Sequence, residues 1–182
     1  MACDFITTGR ALPCKDGFGG LRAVYFVGST DVAGESIVYN SDSDSIDSVG
    51  TAVPCYKYDL EGSSALTQTP NQDPTQGTTN VTQVLDLDLH QLTSADNDNL
   101  KLIMLDRPQI VVEDKMGNFF LVGLEYGCNV SGGDGVTTGA AAADKSGYSI
   151  QFTATEKTFA NFVEPSTATS GDIMVDAGFL VS

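Results

Sequence analysis

A single histidine, His90, serves all 182 residues, and there is no tryptophan. With one imidazole the chain cannot build a multi-histidine metal centre, and serine–histidine or cysteine–histidine catalysis would have to run through His90. No nucleophile pattern lies near that residue. The GxSxG, P-loop, HExxH and strand-linked GxGxxG patterns are all missing. The four cysteines, Cys3, Cys14, Cys55 and Cys128, are scattered without a CxxC pair, which argues against a zinc ribbon or a thioredoxin-type site. They are expected to be reduced and mostly buried. The opening MACDFITTGRALPC has no long apolar core, so no signal peptide is expected. No run approaches the ~18 apolar residues of a membrane span. There is no internal repeat and no domain boundary.

Basic residues are also scarce: 9 Lys and Arg stand against 24 Asp and Glu, a net charge of −15. A protein that grips phosphates needs Lys and Arg, so nucleic acid held on a basic patch is excluded. DNA that must pass without adhering is not. No base lies between Lys57 and Lys101, yet Asp59, Glu61, Asp73, Asp86, Asp88, Asp96 and Asp98 do. No base lies between Arg22 and Lys57 either, where Asp31, Glu35, Asp42, Asp44 and Asp47 occur. Part of the surface should therefore carry negative potential.

What is present is a globular composition, 41% hydrophobic with 19 glycines. Short apolar runs are separated by Gly, Ser, Thr, Asn and Asp, which reads as β-rich with many turns. LRAVYFVG, CYKYDL, VTQVLDLDLHQL and GYSIQFTATE read as strands. In the last of these Tyr148, Ile150, Phe152 and Ala154 share one face. QIVVEDKMGNFFLVGLEYG reads as a hairpin turning at residues 115–118. One helix is expected over about 94–105, capped by Thr93 or Ser94, with Asp96 and Asp98 at its N-terminus and Arg107-Pro108 stopping it. Residues 67–80 and 133–147 read as long loops, and SDSDSIDS as a solvated turn lacking the glycine and distal glutamate of a calcium loop. The expected fold is mainly β: a single-domain antiparallel β-sandwich or β-barrel with that helix. An N-terminal arm (1–20), a core (21–163) and a C-terminal extension (164–182) divide the chain.

The segment VLDLDLHQL alternates leucines with Asp86, Asp88 and His90. Residues i, i+2 and i+4 of a strand share a face but stand about 7 Å apart or more. One histidine and two carboxylates so spaced are a poor metal set, and catalysis would require burial. The face reads as the solvent side of an amphipathic strand. No catalytic residue, cofactor or metal is expected. A chain with exposed strand edges, long loops and no site suits binding to other protein copies. The final apolar run, IMVDAGFLV, could be donated to a neighbouring sheet or fold back onto its own. A carbohydrate- or receptor-binding module is the other class; it would need an aromatic platform from Tyr56, Tyr58, Phe119 and Phe120.

Three stretches, GRALPCKDGFGGLRAVYF (residues 9–26), RPQIVVEDKMGNFFLVGLEYG (107–127) and GYSIQFTATEKTFANFV (147–163), together resemble structural proteins of tailed bacteriophages, most closely the tail-tube type. They cover about a third of the chain. The resemblance implies hexameric rings stacked into a hollow tube for DNA passage, located in the virion tail after synthesis in the host cytoplasm. It implies contacts with other tail proteins, no membrane and no enzymatic activity. Asp86, Asp88 and His90 would then be candidates for an acidic lumen face. Phe5, Pro13, Thr75, Gln76, Phe179 and Leu180 would be candidates for contacts between subunits. A capsid decoration, auxiliary or tail-completion protein of the same virion has similar composition and remains an alternative.

Overall fold

Strand β1 (Leu21–Val27) is apolar on both faces because it feeds two cores. Leu21, Val24 and Phe26 enter one cluster, Ala23, Tyr25 and Val27 the other, with a register shift between Leu21 and Ala23. A strand covered on both sides loses the polar–apolar alternation of a half-buried one. The structure is a computed structural model that describes residues 9–10, 12, 15–29, 32, 37–41, 43–50, 53–166 and 172–182. Among these residues it is mainly β, 48% strand and 10% helical, with two complete helices, and its sheets are predominantly antiparallel.

The strands after β1 are β2 (Val38–Tyr39), β3 (Ile46–Ser48), β4 (Val53–Asp59), β5 (Ala65–Asp73) and β6 (Thr78–His90). Helix α1 (Ser94–Ile103) follows, then β7 (Gln109–Asp114), β8 (Phe119–Val122), β9 (Asn129–Thr137), β10 (Gly147–Glu156) and β11 (Asn161–Phe162). Helix α2 (Ile173–Asp176) and β12 (Phe179–Val181) end the chain. A six-stranded sheet has the order β11-β8-β7-β1-β4-β12, a four-stranded sheet the order β5-β6-β10-β9, and β2 pairs with β3 alone. No sheet closes into a barrel.

The first core cluster joins the two larger sheets. Phe26 of β1 meets Phe152 of β10 at 5.7 Å and Tyr58 of β4 edge-on at 5.3 Å, and Leu85, Ile110 and Val112 pack around them. The second cluster lies on the far face of the six-stranded sheet, where Ile46, Val49, Met174, Ala177 and Phe179 close over Val27, Val111 and Leu121. The tail thus folds back onto its own sheet. Asp172 caps α2 by accepting from the Met174 N–H at 3.0 Å, and β12 pairs parallel with β4. Gly178 (φ +99°) makes this possible, since a Cβ there would run into the Gly50 carbonyl.

Several expectations are corrected. Residues 67–80 are not a loop: β5 and β6 pair continuously to Asp73–Thr78, as a ribbon bonded across by Asn71, Asn80 and Thr82. Its tip is a turn in which Asp73 Oδ1 accepts from the Thr75 and Gln76 N–H groups. Strand β9 takes in the first residues of the other expected loop, up to Thr137. The serine–aspartate stretch becomes β3 at Ile46, which is fully buried. A second helix, α2, joins the one foreseen, and α1 stops at Ile103 as Leu105 N–H and Asp106 N–H reach carbonyls three residues back. Cys55 and Cys128 are buried and free; Cys3 and Cys14 lie outside the described residues. No helix among the described residues is long and apolar enough to cross a membrane.

Glu156 ends β10 almost fully buried, and its Oε1 accepts from the N–H groups of Glu125 (3.1 Å) and Tyr126 (3.0 Å). Burial pushes its carboxyl above the ordinary range, outweighing the downward pull of those two hydrogen bonds and of Lys157. The folded state therefore keeps this proton where the unfolded chain has lost it, and stability falls as pH rises from the ordinary carboxylate range through the raised one. Glu156→Gln keeps the acceptor without the charge. Denaturant melts from about pH 4 to about pH 8 should show it at least as stable as the parent at neutral pH, with a flatter profile. Glu156→Ala orphans two N–H groups and should cost about 1–3 kcal/mol.

Candidate functional site

The outward face of the four-stranded sheet holds the residues singled out in the sequence. Along β6, Val81, Gln83, Leu85 and Leu87 turn inward and are buried, so Thr82, Val84, Asp86, Asp88 and His90 turn outward. Strand β10 supplies Ser149 opposite Asp88, Gln151 opposite Asp86 and Thr153 opposite Val84. Strand β5 adds Ala65 opposite Asp86 and Thr67 opposite Val84.

Each acidic side chain already has a partner. Asp86 Oδ1 accepts from Gln151 Nε2 at 2.7 Å. Asp88 is paired with the Lys145 ammonium, which reaches over from the turn between β9 and β10. Ser131 continues the network, its hydroxyl 2.6 Å from that of Thr153 and 3.2 Å from Gln151 Oε1. His90 is exposed at the end of the strand, paired in register with Gly147. The three residues do share a face, but strand spacing sets them apart and Asp86 and Asp88 are engaged by their own partners. No group of three His, Cys, Asp or Glu able to hold a metal ion exists among the described residues. Lys145 and Gln151 were not foreseen. Gln151 stood on the polar face of a legible strand, whereas nothing in a loop lysine announces its target.

Charge is graded along this sheet. At the His90 end a cleft of about 320 Å³ is lined by Tyr58, Asp59, Glu61, Asp88, His90 and Asp96. At the other end the ribbon carries one charge, Asp73, across residues 67–80. None of the four strands contains a lysine or arginine. The face is thus mostly hydroxyls and amides, with its carboxylates concentrated toward the His90 end and Asp73 at the ribbon tip.

The other candidates are dispersed. Thr75 and Gln76 sit exposed at the tip of the ribbon. Phe179 is 1% exposed inside its own chain's second core cluster, whereas Leu180 next to it is 53% exposed. Phe5 and Pro13 lie outside the described residues. Of the four aromatics considered as a platform, only Tyr56 is largely exposed; Phe119 is buried, and Tyr58 and Phe120 pack against the first cluster.

Compared with protein-family models, with curated proteins and with solved structures, the chain matches none.

Because Asp86 and Asp88 are engaged and stand apart, Zn²⁺ in modest excess should leave the thermal midpoint unchanged and give no heat of binding in a calorimetric titration. A saturable signal lost in Asp88→Asn or His90→Ala would show that the face closes on a metal after all.

Proposed function

We propose that this chain is a virion structural protein of the tailed-phage tail-tube type, acting by self-assembly rather than catalysis. The two sheets that share the first core cluster form a sandwich. Its four-stranded layer joins the same layer of neighbouring copies edge to edge and closes a ring. By the resemblance the ring is hexameric, and rings stack into a tube whose bore is lined by the outward face just described.

The open edges of that layer carry the reading. Strands β5 and β9 lie at opposite edges, nine residues each. Every neighbouring pair in the sheet is antiparallel, so β5 and β9 run in opposite directions. The β5 of a second copy therefore fits beside β9 as the next antiparallel strand. Long open edges are ordinarily blunted by charge, proline or a bulge; β9 has a bulge and Asp134 in mid-strand, and β5 is the plainer edge. On β5 the charge waits until its last residue, Asp73, and Pro70 is the only proline. Pro70 must face its nitrogen outward, which removes one donor and leaves Leu66, Gln68 and Gln72 to supply the others. The ribbon beyond the core adds a further argument, because two strands with both faces wet are marginal alone and gain from an assembly partner.

Such a bore suits a conduit. Its strands offer no cation to a phosphate, since Lys145 is paired with Asp88, and the carboxylates repel one. DNA would slide past hydroxyls and amides without adhering.

Light scattering over a concentration series, with negative-stain micrographs of the same samples, should reveal rings or tubes with a bore about the width of a DNA duplex. A monomer at every concentration overturns the reading. Replacing both Asp86 and Asp88 by Lys should leave assembly intact and slow DNA ejection; ejection at the parental rate removes this face from the lumen.

A further inference from the structure

The two flanks of the molecule differ in a way the edge pairing does not use. One flank holds β5 and the segment that leads into β11. Ala160 N–H donates to Gln68 Oε1 of β5 at 2.7 Å, so residues 158–160 run beneath that strand. Phe159 projects from this segment with 54% of its surface exposed. Phe162 follows at 42%, its ring 4.5 Å from that of Phe120. The opposite flank holds β9, helix α1 and the β4–β12 edge. Here α1 buries only Leu100 and stands between two apolar grooves. A groove of about 290 Å³ separates it from β9 and β10, with Leu100, Met104, Val130, Val136, Tyr148 and Ile150 among its walls. The other, about 310 Å³, separates it from β4 and is lined by Phe26, Tyr56, Tyr58, Asn99, Leu102 and Ile103. Met104 and Val136 are 52% and 57% exposed at the rim of the first.

We infer that Phe159 of one copy seats in the groove between α1 and β9 of the next copy, so that α1 is the receiving wall of the contact between subunits. This rests on the ring reading above. Pairing β5 of a second copy with β9 carries residues 158–160, which lie under that β5, to the place under β9 where α1 leaves the groove open. The core-side faces of both sheets point the same way around a ring, so the ring of Phe159 arrives on the apolar side and not on the wet one. Charge favours the same match. On a surface with net charge −15, the only charged wall of this groove is Lys101, which is held by Asp98. The entering segment around Phe159, residues 158–162, carries no charge. An uncharged segment entering this groove carries no unpaired ion in with it, although Asp44, Glu125 and Lys157 line the cleft beside Phe159.

The test is sedimentation velocity over a concentration series on the full chain, with thermal midpoints to confirm folding. Phe159→Ala and Met104→Asp should each weaken association about tenfold or more, as removal of an aromatic anchor or its pocket does. The double variant should be no weaker than the poorer single one, because both changes remove the same contact. Met116→Ala, an exposed apolar residue in the β7–β8 turn that lines neither the groove nor the Phe159 segment, should behave as the parent. Should Met104→Asp fail to fold, Val136→Asp takes its place. If the parent assembles and either Phe159→Ala or the groove variant assembles equally well, this contact is wrong and the ring reading stands. If the parent stays monomeric at every concentration, both fall together.

Discussion

The six-stranded sheet has apolar residues on both of its faces, and it cannot exist in water until each is covered. One cover is the four-stranded sheet; the other is the segment around Ile46 together with α2 and Phe179. The covering sheet needs only one apolar face, which is why its outward side is free to be polar. The tail is committed by the same demand. Met174, Ala177 and Phe179 are fully or almost fully buried, and pulling them away to serve a neighbour would expose Val111 and Leu121. Each large buried apolar side chain so exposed costs about 1.5–3 kcal/mol. The layers are also stitched by polar groups. Gln83, 1% exposed, accepts from the Gly123 N–H at 3.1 Å and donates to the Thr158 carbonyl at 3.3 Å. A buried amide satisfied at both ends holds the register of the sheets in a way that apolar contact does not.

The mismatch between the layers shapes everything exposed. Strand β6 has thirteen residues, and β10 pairs only with Val81 onward, so the β5–β6 ribbon overruns the core. The covering sheet is also two strands narrower than the sheet it covers. Helix α1 fills part of the step beside β9, but with one buried residue it fills it incompletely, and the two grooves are what remains. Ribbon, grooves and open edges therefore share one origin. They are surfaces that the described residues leave uncovered.

Legibility in the sequence follows burial. Strands β6 and β10 are covered on one face only, so their alternation was plain, and the outward placement of Asp86, Asp88 and His90 followed from it. The β7–β8 hairpin announced itself by its turn, where Asp114 accepts from the Met116 and Asn118 N–H groups. Thr93 capped α1 as read, accepting from the Asp96 N–H. The ribbon was missed because neither of its faces is buried, so no apolar period marks it; threonine and asparagine side chains bonded across strands carry it instead. Strand β9 was missed because glycines replace its side chains. At Gly133 (φ +104°) a Cβ would run into the Ser149 carbonyl, so the strand bulges where a sequence shows only a loop. Helix α2 is a single turn whose apolar residues serve a core contributed by distant segments, and such contacts leave no local pattern. The partners of the acidic residues were equally hidden, since Lys145 reaches Asp88 from 57 positions away by fold alone.

The acidic excess ties these points together. At physiological ionic strength charges are screened over about 8 Å, so carboxylates on distant parts of two copies scarcely feel one another. Carboxylates brought into contact do. Acidity spread over a surface thus disfavours contact between like surfaces at acidic places relative to uncharged ones. In this chain it is sparse along the ribbon, along most of β5 and across the grooves of α1, and those are the same places that the mismatch of layers leaves uncovered. The carboxylates gather instead at the far end of β6, around the cleft of Asp59, Glu61, Asp88 and Asp96. Uncovered backbone and apolar surface invite contact, and the distribution of charge decides which contacts are admitted.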